Sequence, residues 1–206
     1  DVAGRVDAAG VGEGAIMLWV SPGVVETAVL ADPWVREARV QRVLPDTLVV
    51  EVLEHTPLLW VEGASTWMLV ARDGSVLENA DAPTPGLMQA SLSFRDYGPG
   101  TLPDDPTWGE VLDLVHALDP SIAATLTLES DGGVATASVA GTRFLFGPAV
   151  DLADKGRVLA AMLEEQIPDG WSVDLVAPRR PALVPPTLRE QAELKVEVPE
   201  DQVEVE

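Results

Sequence analysis

The chain has 206 residues, enough for one large or two small domains. Hydrophobic residues make up 47%, and 17 each of Gly and Pro favour turns and short strands over a helical bundle. The formal charge of −21 excludes a nucleic-acid binder, which must neutralise phosphates with Lys and Arg, and argues against docking on anionic lipid. Without Cys there are no disulfides, no thiolate chemistry and no Cys-based zinc sites.

Residues 1–9 place Val2, Val6 and Ala9 at helical spacing and predict a helix. Glycines at 10, 12 and 14 read as a turn. Ser21-Pro22 offers an N-cap followed by Pro at the first helical position. A second helix is predicted from Pro22 to Ala31, with Val24, Val25, Ala28 and Leu30 as its apolar face, and Asp32-Pro33 ends it. Two strands follow, Val35 to Val43 and Thr47 to His55, joined by turn residues around Pro45-Asp46. In the second, Leu48, Val50 and Val52 point one way, Glu51 and His55 the other.

From Pro57 the texture changes to short strands: Leu58 to Val61, Trp67 to Ala71 and Leu87 to Phe94, with a turn at 72–75 and loops at 79–86 and 95–106. Thr107 and Glu110 form a capping box for a helix through Ala117. Strands Ala123 to Glu129, Val134 to Val139 and Thr142 to Phe146 form a meander joined by Gly-bearing turns. Asp151 is expected to cap a helix running to Glu165, with Leu152, Leu159, Met162 and Leu163 on its buried face. Trp171 to Val176 is a further strand. Residues 185–206 carry seven acidic and two basic residues and are expected to be a disordered acidic tail. No apolar run approaches the ~20 residues that span a bilayer. The chain begins at Asp1 and reads as a fragment, with any signal or anchor segment upstream.

Little in the chain carries reaction chemistry. His55 and His116 have no metal-ligand spacing to a further His, Asp or Glu, so no metal and no cofactor is expected. The pairs Asp104-Asp105 and Glu164-Glu165 lie in a loop and at a helix end, and nothing gives them the unequal environments that a catalytic pair needs. The early glycines lack the Gly-Lys-Ser/Thr of a phosphate loop, and Gly-x-Ser-x-Gly is absent. A binding or scaffolding protein is expected, not an enzyme.

The series Asp32-Pro33-Trp34-Val35, Ala38, Val40, Arg42, Leu44-Pro45, Thr47-Leu48, Val50, Val52, Glu54 and Pro57 resembles the POTRA signature of the FtsQ/DivIB family of bacterial cell-division proteins. Downstream, residues 69–76, Leu145-Phe146-Gly147 with Asp151 and Lys155, and Val173-Asp174-Leu175 with Pro178 and Pro181 resemble later family segments in the same order. Two positions depart: His55 stands where the family usually has Arg, and the usual Asp of the later hairpin is displaced to Asp73. The family's POTRA also starts with a strand before its first helix, whereas this sequence begins inside that helix.

The resemblance implies an α+β fold. It comprises a truncated POTRA of helix-helix-strand-strand over residues 1–56, a β-rich domain with two helices over 57–184, and the tail from 185. It implies a single-pass inner-membrane protein with this region outside the cytoplasm. Its expected partners are FtsB/DivIC-like and FtsL-like coiled-coil membrane proteins and other divisome components, in a complex that regulates septal peptidoglycan synthesis. The family's partner pairs with the last strand of the β domain, so the implied binding residues are Ala182, Leu183 and Val184 with Arg179 and Arg180 beside them. The alternatives are a POTRA-containing transport or secretion protein, another cell-surface binding domain, and a carboxylate hydrolase.

Overall fold

The computed structural model describes residues 2–8 and 19–186; the turn at Gly10, Gly12 and Gly14 and the acidic segment 187–206 lie outside the described residues. Internal contacts divide the chain into two compact units. One runs up to Thr84 and includes Ser93–Trp108, and the other joins Pro85–Leu92 to the chain from Gly109 onward.

The first unit opens with α1 (Val2–Ala8) and α2 (Pro22–Leu30). Pro22 occupies the first turn of α2, where its missing N–H costs nothing. Ser21 makes no side-chain cap; its carbonyl instead accepts from the N–H groups of Val24 and Val25. Val25 and Val29 form the buried stripe, whereas Val24 and Leu30, expected inside, are 57% and 43% exposed. Val25 and Val29, four residues apart, share the face turned to the strands, while Val24 and Ala28, also four apart, lie on a neighbouring face.

Asp32 Oδ1 accepts the Trp34 N–H at 3.1 Å and turns the chain into β1 (Val35–Val43), which pairs antiparallel with β2 (Thr47–Glu54). Ala38 faces Val52 and Val40 faces Val50, after a register shift between Val35 and Glu37. Val35, Ala38 and Val40 join Val20, Val25 and Val29 in one core, with Val6, Leu48, Val50 and Val52 packed against it. Apart from Ala38 its buried residues are all valines, each contributing about 1.5 kcal/mol on full burial. The helix-helix-strand-strand expectation is therefore met.

The same unit continues with an antiparallel meander of β3 (Pro57–Glu62), β4 (Trp67–Ala71) and β5 (Val76–Ala80). β5 corrects the expected loop at 79–86, because Ala80 pairs with Trp67 and Asn79 with Met68. A register shift at Leu69/Val70 opposes these runs, so Val76 and Leu77 are both buried and the alternation that marks a strand is lost. Trp108 is buried at 2% exposure, packs edge-on to Phe94 and Tyr97 with centroids 5.3 and 5.6 Å away, and donates its Nε1–H to the Gly74 carbonyl.

The second unit contains β6 (Met88–Ser91), most of α3 (Pro106–Ala117), α4 (Pro120–Ala123), β7 (Thr127–Asp131), β8 (Val134–Val139), β9 (Thr142–Gly147), α5 (Leu152–Leu163), β10 (Ser172–Asp174) and β11 (Ala182–Val184). Its strands lie in the order β6-β7-β8-β9-β10-β11. The pairs β6/β7 and β9/β10 are parallel and the others antiparallel, which makes a mixed sheet. Three expectations are corrected. β6 stops at Ser91, and Ser93 at φ 62 ends any extended run toward Phe94. The strand expected from Ala123 starts only at Thr127, because Ala123 closes α4, which Asp119 caps by accepting from the Ser121 N–H. α3 is capped by Asp105, whose Oδ1 accepts the Thr107 N–H at 2.8 Å, and not by a Thr107–Glu110 box.

Candidate functional site

The five residues singled out by resemblance lie together at one end of the second unit's strand order. Ala182, Leu183 and Val184 constitute β11, the terminal strand, beyond which no strand lies among the described residues. Arg179 and Arg180 sit in the connection from β10, where the Arg180 N–H closes a turn on the Ala177 carbonyl at 2.9 Å. Both are exposed, and among the described residues neither guanidinium has an ion-pair partner.

The ladder fixes which backbone groups of β11 face outward. The Leu175 N–H donates to the Leu145 carbonyl at 2.8 Å across the parallel β9/β10 pair. In a strand the N–H and C=O of one residue point to the same side, and successive residues alternate. Leu175 and Val173 therefore address β9, while Ser172 and Asp174 address β11. Their register partners, Val184 and Ala182, return those bonds. Val173 and Leu183 form the non-hydrogen-bonded pair between them, so the N–H and C=O of Leu183 point away from the sheet. The Pro181 carbonyl, in the same peptide plane as the inward Ala182 N–H, and the Pro185 nitrogen, in the same plane as the inward Val184 carbonyl, also face outward. Neither proline supplies an N–H.

The side chains tell the same story. Ala137 faces Phe144, Phe144 faces Val173, and Val173 faces Leu183, forming one row across four strands. The first three are 0% exposed and Leu183 is 43% exposed, so the apolar row reaches the sheet's edge uncovered. An edge strand with an outward backbone pair and an apolar side chain is a template for one more strand.

Gly147 has φ 68, and a Cβ there would sit 3.0 Å from Val176 Cγ2, so Gly allows the chain after β10 to lie close to the end of β9. Asp151, expected to cap α5, has φ 54 and makes no side-chain cap. Glu110 of α3 does so instead: its Oε2 accepts the Leu152 N–H at 2.9 Å. Lys155, only 2% exposed, donates from Nζ to the Pro148 carbonyl at 2.8 Å. Burial lowers the Lys155 pKa from its usual value, opposed by the charges of Asp151 and Glu110. Sequence patterning had Glu110 cap its own helix and said nothing of Pro185, because neither a cap from another helix nor an outward register is visible in one segment.

Among the described residues no group of three or more His, Asp or Glu could hold a metal ion, and no helix is long and apolar enough to cross a membrane.

Residues 6–55 match the family model of the POTRA domain, FtsQ-type. The chain is 30% identical over 185 residues to the cell division protein FtsQ of Mycolicibacterium smegmatis, covering 85% of this chain and 51% of that protein. It is 29% identical over 186 residues to cell division protein FtsQ of Mycobacterium tuberculosis strain H37Rv, covering 86% of this chain and 54% of that protein. FtsQ of Novosphingobium aromaticivorans is 34% identical over 91 residues, 44% of this chain and 27% of that protein. The chain thus spans about half the length of the two mycobacterial relatives.

Proposed function

Because the chain belongs to the FtsQ family of cell-division proteins and carries an FtsQ-type POTRA domain, we propose that it is a non-enzymatic scaffold of the divisome that binds its partner by strand addition to β11. The observation that carries this reading is the outward N–H and C=O of Leu183 beside an uncovered apolar side chain. The proposed partner is the extracytoplasmic segment of an FtsB/DivIC-like protein, held with an FtsL-like protein, in a complex that regulates septal peptidoglycan synthesis. In this reading residues 1–56 and 57–184 act as POTRA and β domains outside the cytoplasm, behind an anchor carried elsewhere in the full protein. Arg179 and Arg180 supply bidentate donors to an acidic side chain of the partner.

The test is a binding titration of that partner segment against the parent, Leu183→Pro and Arg180→Glu. Leu183→Pro removes the outward donor and leaves the β10/β11 bonds in place, so binding weakens by more than about tenfold, ~1.4 kcal/mol, without unfolding. Arg180→Glu weakens binding most at low salt. Parent-like affinity in both folded variants would move the interaction surface away from β11.

A further inference from the structure

We propose that Pro181 and Pro185 act as specificity residues: they leave the β11 edge one outward N–H, that of Leu183, so that it accepts a partner strand but does not pair with a second copy of itself. The proposal rests on the strand-addition reading above and concerns how the same edge selects its occupant.

Antiparallel pairing centred on Leu183 places its N–H and C=O against one partner residue, giving two hydrogen bonds. The next bonding positions are Pro181 and Pro185, neither of which donates, while the Pro181 carbonyl faces outward and accepts. A Pro-free partner strand has an N–H opposite the Pro181 carbonyl, so the edge gains roughly three bonds in all. A second copy docking about a twofold axis sets Pro181 against Pro185 on each side, where neither donates. Self-pairing therefore keeps only about two bonds. It also brings together two chains of −21 charge.

The same geometry defines the partner's chemistry. Its central residue is apolar, to cover Leu183 at the end of the buried row through Phe144 and Val173. In antiparallel register its C-terminal side passes the start of β11, where Arg179 and Arg180 lie without ion-pair partners among the described residues. An extended segment with an acidic residue shortly after its apolar one fits. Two flanking prolines thus do for this edge what inward charges and bulges do elsewhere: they keep a useful strand from being a sticky one.

The test is Pro181→Ala/Pro185→Ala, followed by sedimentation velocity and amide exchange with no ligand added. The parent should remain monomeric, with slow Ala182 and Val184 amides and a fast Leu183 amide. The double variant should dimerise, with the Leu183 amide slowed at least about tenfold. Adding Leu183→Pro to that variant should restore the monomer. A folded double variant that stays monomeric with a fast Leu183 amide overturns the proposal, as does a parent that dimerises through this edge. Titration with the FtsB/DivIC-like segment separates the two readings. If the parent fails to bind it while the double variant dimerises, the proline restriction stands and the divisome partner falls.

Discussion

His55, one residue past the end of β2, places its Nδ1 3.7 Å from Oδ1 of Asp73 in the turn between β4 and β5. The backbone makes the same connection. The Arg72 N–H donates to the Thr56 carbonyl at 3.2 Å, while the His55 N–H, bonded to the Trp34 carbonyl at 2.8 Å, closes the POTRA hairpin on itself. The two positions at which the sequence departs from the family pattern are therefore spatial neighbours, and the POTRA hairpin is tied to the hairpin that follows it.

Asp73 gives this junction a pH dependence. Burial pushes its carboxyl pKa up, but the hydrogen bonds from Ser75 Oγ and N and the nearby His55 outweigh it, so the net shift is downward from 3.8. A carboxylate whose folded pKa is depressed contributes stability above its unfolded pKa and loses it as pH falls through the folded value. Urea unfolding of the parent and Asp73→Asn should differ at neutral pH and converge as the pH falls from 3.8 through the lower folded value. With the side chain 55% exposed, solvent screening keeps the difference below about 1 kcal/mol. A gap that widened on acidification would contradict the assignment.

Glu110 caps a helix that is not its own. Glu110→Ala leaves the Leu152 N–H without its acceptor and should destabilise the fold by about 1 kcal/mol. Glu110→Gln keeps an acceptor oxygen and should lose less than half of that. Denaturant midpoints at unchanged slope measure both.

Gly156 lets α5 approach α3. A Cβ at this position would stand 2.6 Å from Leu114 Cδ1, and Leu114 is 0% exposed and cannot swing into solvent. Gly156→Ala gains up to about 1 kcal/mol of helix propensity but incurs overpacking of about 1–3 kcal/mol. The net expectation is a lower melting temperature, and Gly156→Val should be worse. A stabilised Gly156→Ala protein would mean that Leu114 has room to repack.

Lys155 should make itself visible at high pH. Its folded pKa lies below 10.5, with burial as the main cause. The folded state therefore penalises the charged form, and that penalty is relieved as pH rises from the folded pKa toward 10.5. The stability of the parent relative to Lys155→Met should increase over that range. Near neutrality Lys155→Met trades the bond to the Pro148 carbonyl for relief from burying a charge. A pH-independent difference would show that Nζ reaches solvent.

Local pattern determined much of this protein. The valines of β2 alternate in the sequence because they alternate in space, and Pro22, Asp32-Pro33 and the Gly-bearing turns mark element ends through fixed backbone preferences. The ordered series from Asp32 to Pro57 was enough to indicate an FtsQ-type POTRA, and the resemblance downstream, through Val173-Asp174-Leu175, to place a terminal strand at Ala182 to Val184. Tertiary structure decided the rest. β5 hid because a register shift buries Val76 and Leu77 side by side. Glu110 looked like a local cap until a second helix was brought within 2.9 Å of it. Which residue of β11 faces outward depended on the phase of a ladder two strands away, set by the bond from Leu175 to Leu145. Sequence records each residue's preference, whereas orientation and long-range hydrogen bonds belong to pairs of segments and exist only once those segments have met.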